Sequence, residues 1–214
     1  MLTIAVLAVA TFSCGSGSSN SAKSENDSGG NTFQAGELTV KIDKDGSITA
    51  KDINGVPYTA EPLIENSEKS KTFFMFRKKP KELNWMLVNV DTKTVIADWE
   101  YQCLRAYSVY RGVNMKAPDG SIVRDVVCGK GLDKNAEYPI ADKIQGGGLH
   151  YLWNAESGEL LHKMIGHGFM KPFEIDGEYL VGWWYSTVGE PVAVAHLGDE
   201  EVTSLYDYQR NKDK

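Results

Sequence analysis

Residues 38–51 read LTVKIDKDGSITAK, and the reading of this stretch decides the fold. Leu38, Val40 and Ile42 alternate with Thr39 and Lys41, the period-two pattern of a strand with one apolar face. Asp45-Gly46 supplies a turn, and Ser47-Ile48-Thr49-Ala50-Lys51 returns as a second strand. The same grammar continues along the chain. Asn54-Gly55 gives a second turn ahead of Val56-Pro57-Tyr58, and Thr72 to Phe76 is a dense β-forming run. Trp85 to Val90 and Thr94 to Trp99 flank the turn Asp91-Thr92-Lys93, and Pro118-Asp119-Gly120 precedes a strand from Ile122 to Cys128. His150 to Trp153 and Glu159 to Ile165 flank Ala155-Glu156-Ser157-Gly158. Glu178 to Tyr185, Pro191 to His196 and Val202 to Tyr206 complete the set.

About a dozen short strands joined by turn chemistry predict an all-β domain, an antiparallel sandwich or barrel. Residues 97–111 fit either a strand or a short helix. The segment Leu87 to Ile96 can be laid on Leu152 to Leu161, an internal echo offset by 65 residues. The second copy, with Leu152-Trp153-Asn154, Ser157-Gly158 and then Gly166-His167, resembles one WD-type propeller repeat over about 20 residues. That resemblance implies a small or partial β-propeller as the alternative architecture.

The chain is organised around this domain. Residues 1–13 read as a signal peptide, 14–35 as a flexible Gly/Ser-rich linker, 36–208 as one β-rich domain and 209–214 as a polar tail. Lys plus Arg number 23 against 29 Asp plus Glu, a net charge of −6. That balance argues against nucleic acid as a partner, because phosphate binding needs a basic footprint. It also argues against electrostatic attachment to an anionic membrane, so membrane association must come from a lipid or a helix.

The apolar run from Leu2 to Phe12 spans only about half of a bilayer core and reads as a signal h-region. Small residues ahead of Cys14, then GSGSSNS, resemble the signal of bacterial lipoproteins. The resemblance implies that the Cys14 sulfur receives a diacylglycerol and becomes the mature N-terminus, tethering an exported domain to the cell envelope outside the cytoplasm. The residues also fit ordinary cleavage after Ala8-Val9-Ala10, which would release a soluble secreted or periplasmic protein with a free Cys14. Three cysteines are present, so lipidation of Cys14 leaves Cys103 and Cys128 as an even pair. Outside the cytoplasm that pair is expected to oxidise, closing a loop worth about 3 kcal/mol. Two separately buried thiols are the other possibility.

No residue set emerges for catalysis. His162 and His167 fall on opposite faces of a continuous strand, and neither they, His150 nor His196 has a carboxylate or Cys cluster to complete a metal site. Asp43 to Ile48 resembles the middle of an EF-hand loop, but Lys41 falls where the first ligand belongs. Glu174, Asp176 and Glu178 are the carboxylates from which a hydrolase site in a sandwich cleft would be built, although Asp176-Gly177 signals a turn. Gly146-Gly147-Gly148 lacks the Lys-Ser/Thr of a phosphate loop, and Arg105, Arg111 and Arg124 are isolated cations. No cofactor is expected.

Two features point to binding. Lys69, Lys71, Arg77, Lys78, Lys79 and Lys81 surround Phe73 to Phe76, a pattern that also guards strands against aggregation. In Trp183-Trp184-Tyr185, Trp183 and Tyr185 share one strand face and Trp184 takes the other. If one face is core, the other presents an aromatic surface suited to a glycan or peptide; burial of both faces between two sheets is the other reading. The sequence therefore leads to a noncatalytic envelope lipoprotein binding a glycan, a peptide or an envelope protein. A carboxylate hydrolase and a structural or assembly role are the alternatives.

Overall fold

A computed structural model describes residues 31–65, 67–78, 85–98, 103–131, 147–184 and 189–212. The architecture is all-β and antiparallel throughout, with one short helix at the end.

The first sheet is a seven-stranded meander in chain order: β1 (Asn31–Ala35), β2 (Leu38–Ile42), β3 (Ile48–Lys51), β4 (Pro57–Glu65), β5 (Glu68–Arg77), β6 (Met86–Asn89) and β7 (Thr94–Ala97). β4 turns the corner: Pro57 and Tyr58 pair with β3, whereas Thr59 onward pairs with β5. A bulge between Pro62 and Ile64 adds to the bend. The sheet therefore coils, and its first strand returns toward its sixth. Phe33, Val40 and Ala50 share one core with Phe76, Met86, Val88 and Val90. The Lys93 ammonium lies 5.9 Å from the centre of the Phe33 ring.

The central sheet has the order β13–β12–β11–β8, from β8 (Cys103–Tyr110), β11 (Val126–Gly131), β12 (Gly147–Asn154) and β13 (Leu160–His167). A two-stranded ribbon of β9 (Met115–Lys116) and β10 (Ile122–Val123) interrupts its connection. The last sheet runs β14 (Phe169–Ile175), β15 (Glu178–Trp184), β16 (Ala193–Ala195) and β17 (Thr203–Ser204), and α1 (Leu205–Lys212) follows.

The central sheet is buried on both faces. Val127, Leu149, Tyr151 and Trp153 pack against Phe73, Met75, Leu87 and Ile96 of the first sheet. Val126, Cys128 and Leu152 face the other way, onto Met170, Val181 and Trp183 of the last sheet and Met115 and Val123 of the ribbon. Among the described residues no core cluster joins the first sheet to the last, so the layers stack in series. This is sandwich packing with a coiled, barrel-like first sheet.

The internal echo is real as geometry. Asn89 Oδ1 accepts the amides of Asp91 and Thr92 at 3.1 and 3.2 Å, and Asn154 Oδ1 accepts those of Glu156 and Ser157 at 2.9 and 3.1 Å. Four residues after each Asn the chain turns left-handed, at Lys93 (φ 60°) and Gly158 (φ 76°). The two turns meet, because Asn89 Nδ2 donates to the Ala155 carbonyl at 2.9 Å. A Cβ on Gly158 would stand 2.5 Å from the Val95 carbonyl oxygen. Only glycine serves there.

Several expectations are corrected. β1 begins at Asn31, with Phe33 and Ala35 buried, so the domain reaches into the stretch read as linker. Residues 103–110 of the ambiguous stretch form a strand; Trp99 and Tyr101 lie outside the described residues. The run from Ile122 to Cys128 breaks at Arg124-Asp125. There the Arg124 carbonyl accepts the Val113 amide and the Asp125 carbonyl accepts the Ala155 amide. The last predicted strand shrinks to Thr203–Ser204, and the polar tail is helical through Lys212. Ser204 caps that helix, its Oγ accepting the Asp207 amide at 3.0 Å.

The bridge between Cys103 and Cys128 is not formed; Cys128 is a fully buried free thiol. The ladder gives the reason. Cys128 sits opposite Ser108, whereas Cys103 sits opposite Gly131, three positions along β11. That offset is about 10 Å along the strand, beyond the Cα separation a disulfide spans.

Candidate functional site

Of the two readings of Trp183-Trp184-Tyr185, the two tryptophans follow the buried one. Trp183 is 6% exposed and Trp184 is 3% exposed, one on each face of β15. The Trp183 ring meets His150 edge-on at 4.9 Å inside the core shared with the central sheet. Trp184 folds back along its own strand over Gly182, packs against Phe173 at 5.8 Å, and donates its Nε1–H to the Gly189 carbonyl at 3.1 Å. The Lys171 ammonium covers it, 4.3 Å from the ring centre. Both faces of β15 are interior, and Tyr185 lies outside the described residues.

The carboxylates of the hydrolase reading are spoken for separately. Glu174 accepts the Tyr179 hydroxyl and pushes that phenol up from its ordinary value. Asp176 pairs with Lys212 at 3.3 Å, and Glu178 accepts the Tyr208 hydroxyl at 3.0 Å with His196 at 3.6 Å. Glu174 stands opposite Tyr179, and Glu178 stands opposite Ile175, the neighbouring position, so Glu174 and Glu178 leave opposite faces of the hairpin. Asp176 and Glu178 serve to hold α1 against the last sheet.

The remaining candidates resolve into structure. Phe73, Met75 and Phe76 are buried core, and Arg77 is held by Trp85 at 4.2 Å and Glu61 at 3.7 Å. Asp43 to Ser47 is a tight turn, with Gly46 at φ 82° and the Ser47 amide donating to Asp45 Oδ1 at 2.9 Å. His150 and His162 are interior, and burial lowers the His162 imidazole while Asp199 partly opposes the shift. Neither nitrogen of His162 has a hydrogen-bond partner among the described residues. Among the described residues no three metal-ligating side chains converge. Arg111 bridges sheets: its Nε donates to Glu65 at 2.7 Å and its Nη1 to Asp125 at 2.9 Å, with the guanidinium 4.9 Å from the Phe73 ring. Burial alone would raise the Asp125 carboxyl, but hydrogen bonds from Arg111 and the Gly112 amide hold it below the usual range. Cys14, Lys79, Lys81 and Gly146 lie outside the described residues, and for Cys103, Arg105 and His167 only the backbone is described.

A concave surface is open among the described residues at a place the sequence did not mark. It lies on the outer side of β1–β4, a depression of about 480 Å³ lined by Thr32, Thr39, Lys41, Thr49, Ala50, Lys51, Gly55 and Pro57. Alternation puts it there: Phe33, Val40 and Ala50 turn inward, so their neighbours turn out. Register then assembles the outward residues. Thr32 opposes Lys41, Lys41 opposes Thr49, Thr39 opposes Lys51, and Lys51 opposes Pro57. The result is a checkerboard in which Lys41 and Lys51 are diagonal neighbours and so are Thr39 and Thr49.

The chemistry of this face is polar and cationic. No acidic side chain lines it. Lys41 is tied to Asp43 at 3.1 Å on the rim, whereas Lys51 makes no ion pair among the described residues. The Thr39 hydroxyl accepts from Gln34 Nε2 at 2.9 Å, and the hydroxyls of Thr32 and Thr49 make no hydrogen bond among the described residues. The arrangement offers hydrogen-bond donors, acceptors and an ammonium. No protein-family model matches the chain, and a comparison with curated proteins gives no match.

Proposed function

We propose that this is an exported bacterial lipoprotein, anchored to the cell envelope through Cys14, whose β-domain is a noncatalytic binding module. Its partner is an envelope glycan, peptide or protein, and its contact surface is the hydroxyl- and lysine-lined face of β1–β4. The anchor rests on the apolar leader, the small residues before Cys14 and the Gly/Ser-rich stretch after it. No helix among the described residues is long and apolar enough to cross a membrane. The observation that carries the binding reading is the open depression, in which Lys51 makes no ion pair and the Thr32 and Thr49 hydroxyls make no hydrogen bond among the described residues. The hydrolase alternative loses its motivation, since Glu174, Asp176 and Glu178 are each committed elsewhere.

The test has two parts on the full chain. Metabolic labelling with a fatty acid should mark the protein, and Cys14→Ala should abolish the label and shift the protein to the soluble fraction. Detergent-solubilised protein should be retained by purified envelope polymers, and Lys51→Ala should weaken that retention. An unlabelled protein whose fractionation ignores Cys14→Ala would contradict the anchor. Retention indifferent to Lys51→Ala would contradict the assigned face. Altered envelope integrity on deletion, with no binding to any polymer, would favour the assembly role.

A further inference from the structure

We infer that the β1–β4 face takes an acidic polysaccharide, a polymer of hydroxyl-bearing rings that also carry carboxylate or phosphate groups. This rests on the binding-module reading and narrows it to one ligand chemistry. β2 is paired on both sides, to β1 and β3, and β3 is paired to β2 and, at Ala50 and Lys51, to β4, so most amides and carbonyls of the floor are consumed in ladders. An extended peptide gains its affinity by adding a strand to a free edge, which β1 offers at the side of the depression and its floor does not. Recognition has to come from side chains.

Lys41 and Lys51 stand diagonally across two strands, a separation of about 7–8 Å between Cβ atoms. A sugar ring seated between these positions brings a charged substituent within reach of the Lys51 ammonium, with Lys41, held by Asp43, on the rim. Thr39 and Thr49 occupy the crossed diagonal, and Thr32 adds a third hydroxyl. Each hydroxyl donates and accepts, as ring hydroxyls require of their partners. The lining contains no aromatic side chain, so ring stacking cannot supply the affinity. The Lys51 ammonium must, and a neutral glycan accepts its hydrogen bonds without meeting its charge.

The chain carries −6 overall, yet no acidic side chain lines this depression. Lys41 is positioned by Asp43, while Lys51 has no carboxylate partner among the described residues to give up before binding an external one. A flat bilayer surface meets a concave face poorly, which favours a polymer threaded through it.

The experiment titrates the full chain in detergent micelles with polygalacturonate, dextran, polyglutamate and phosphatidylglycerol vesicles, at 50 and 300 mM salt. Polygalacturonate should bind, weaken with salt, and lose about fivefold to tenfold in affinity with Lys51→Ala. Thr49→Val should weaken it by about twofold to fivefold, reporting the hydroxyl rather than the charge. Both residues are exposed, and unchanged circular dichroism and melting temperature confirm that the variants fold. Equal binding of dextran overturns the acidic class while leaving the binding face in place. Equal binding of polyglutamate or of vesicles overturns the sugar. Retention of a purified envelope polymer that persists in Lys51→Ala while polygalacturonate fails overturns this site and leaves the module reading standing. Failure of every probe and every envelope polymer removes both.

Discussion

The β2–β3 hairpin and the β14–β15 hairpin are built alike and used differently. In the first, Leu38, Val40 and Ala50 point inward while Thr39, Lys41, Thr49 and Lys51 point out. In β15, Leu180 and Val181, like Trp183 and Trp184, are buried on successive positions, so both faces are interior. An alternating strand leaves a wall free for a ligand; a strand apolar on both faces demands cover on both. β15 gets that cover from the central sheet on one side, and from Phe173, α1 and the loop at Gly189 on the other. Aromatic residues are attractive markers of binding, but two adjacent tryptophans on one strand cannot both be surface without a large exposed patch. The polar hairpin is the better candidate because its outer face costs nothing to leave wet.

This contrast can be broken most severely at the twice-buried layer. Trp153→Ala removes a side chain with no exposed surface, stacked on Tyr151 at 5.1 Å, and should cost about 3–5 kcal/mol in denaturant unfolding. Gly158→Ala meets both a left-handed backbone and the Val95 carbonyl, and should cost roughly 1–3 kcal/mol. Lys93→Gly, at the equivalent turn, relieves a left-handed non-glycine residue and should be neutral or stabilising by up to about 1 kcal/mol. A Gly158→Ala protein as stable as the parent would contradict the meeting of the two echo turns.

Acid should act next. His162 is depressed by burial, so the unfolded chain takes up its proton first, and stability falls as pH drops below about 6.5. His162→Leu should flatten the melting temperature between pH 7 and 5.5. Asp125 is also held low, chiefly by Arg111 and the Gly112 amide working against burial, so its contribution persists above about pH 4 and is lost below it. Arg111→Ala should cost about 1–2 kcal/mol at neutral pH and reduce the further loss in acid. The smallest effect belongs to the open face. Lys51→Ala and Thr49→Val should change stability by less than about 0.5 kcal/mol.

Much of the fold was legible in short-range pattern. Asp45-Gly46, Asn54-Gly55 and Asp119-Gly120 all turn the chain as expected, and the hairpins around them follow. What escaped depended on partners. Asn31–Ala35 carries only Phe33 and Ala35 as apolar residues and becomes a strand through its ladder with β2. Leu205, Tyr206 and Tyr208 look strand-forming, and the helix signal was the smaller one, Ser204 followed by Asp207 three residues on. The disulfide was inferred from cysteine parity, which knows nothing of register. The β1–β4 depression was hidden because Thr32, Thr39, Lys41, Thr49 and Lys51 are ordinary outward residues of three strands. Only pairing brings them into one depression.

The measurement that decides the account is a hydrogen-exchange footprint of the full chain with and without polygalacturonate. Protection confined to residues 32–57, with residues 178–184 unchanged, is the expected result. Protection at Trp183 and Trp184, with 32–57 silent, would return the site to the aromatic strand and contradict the account.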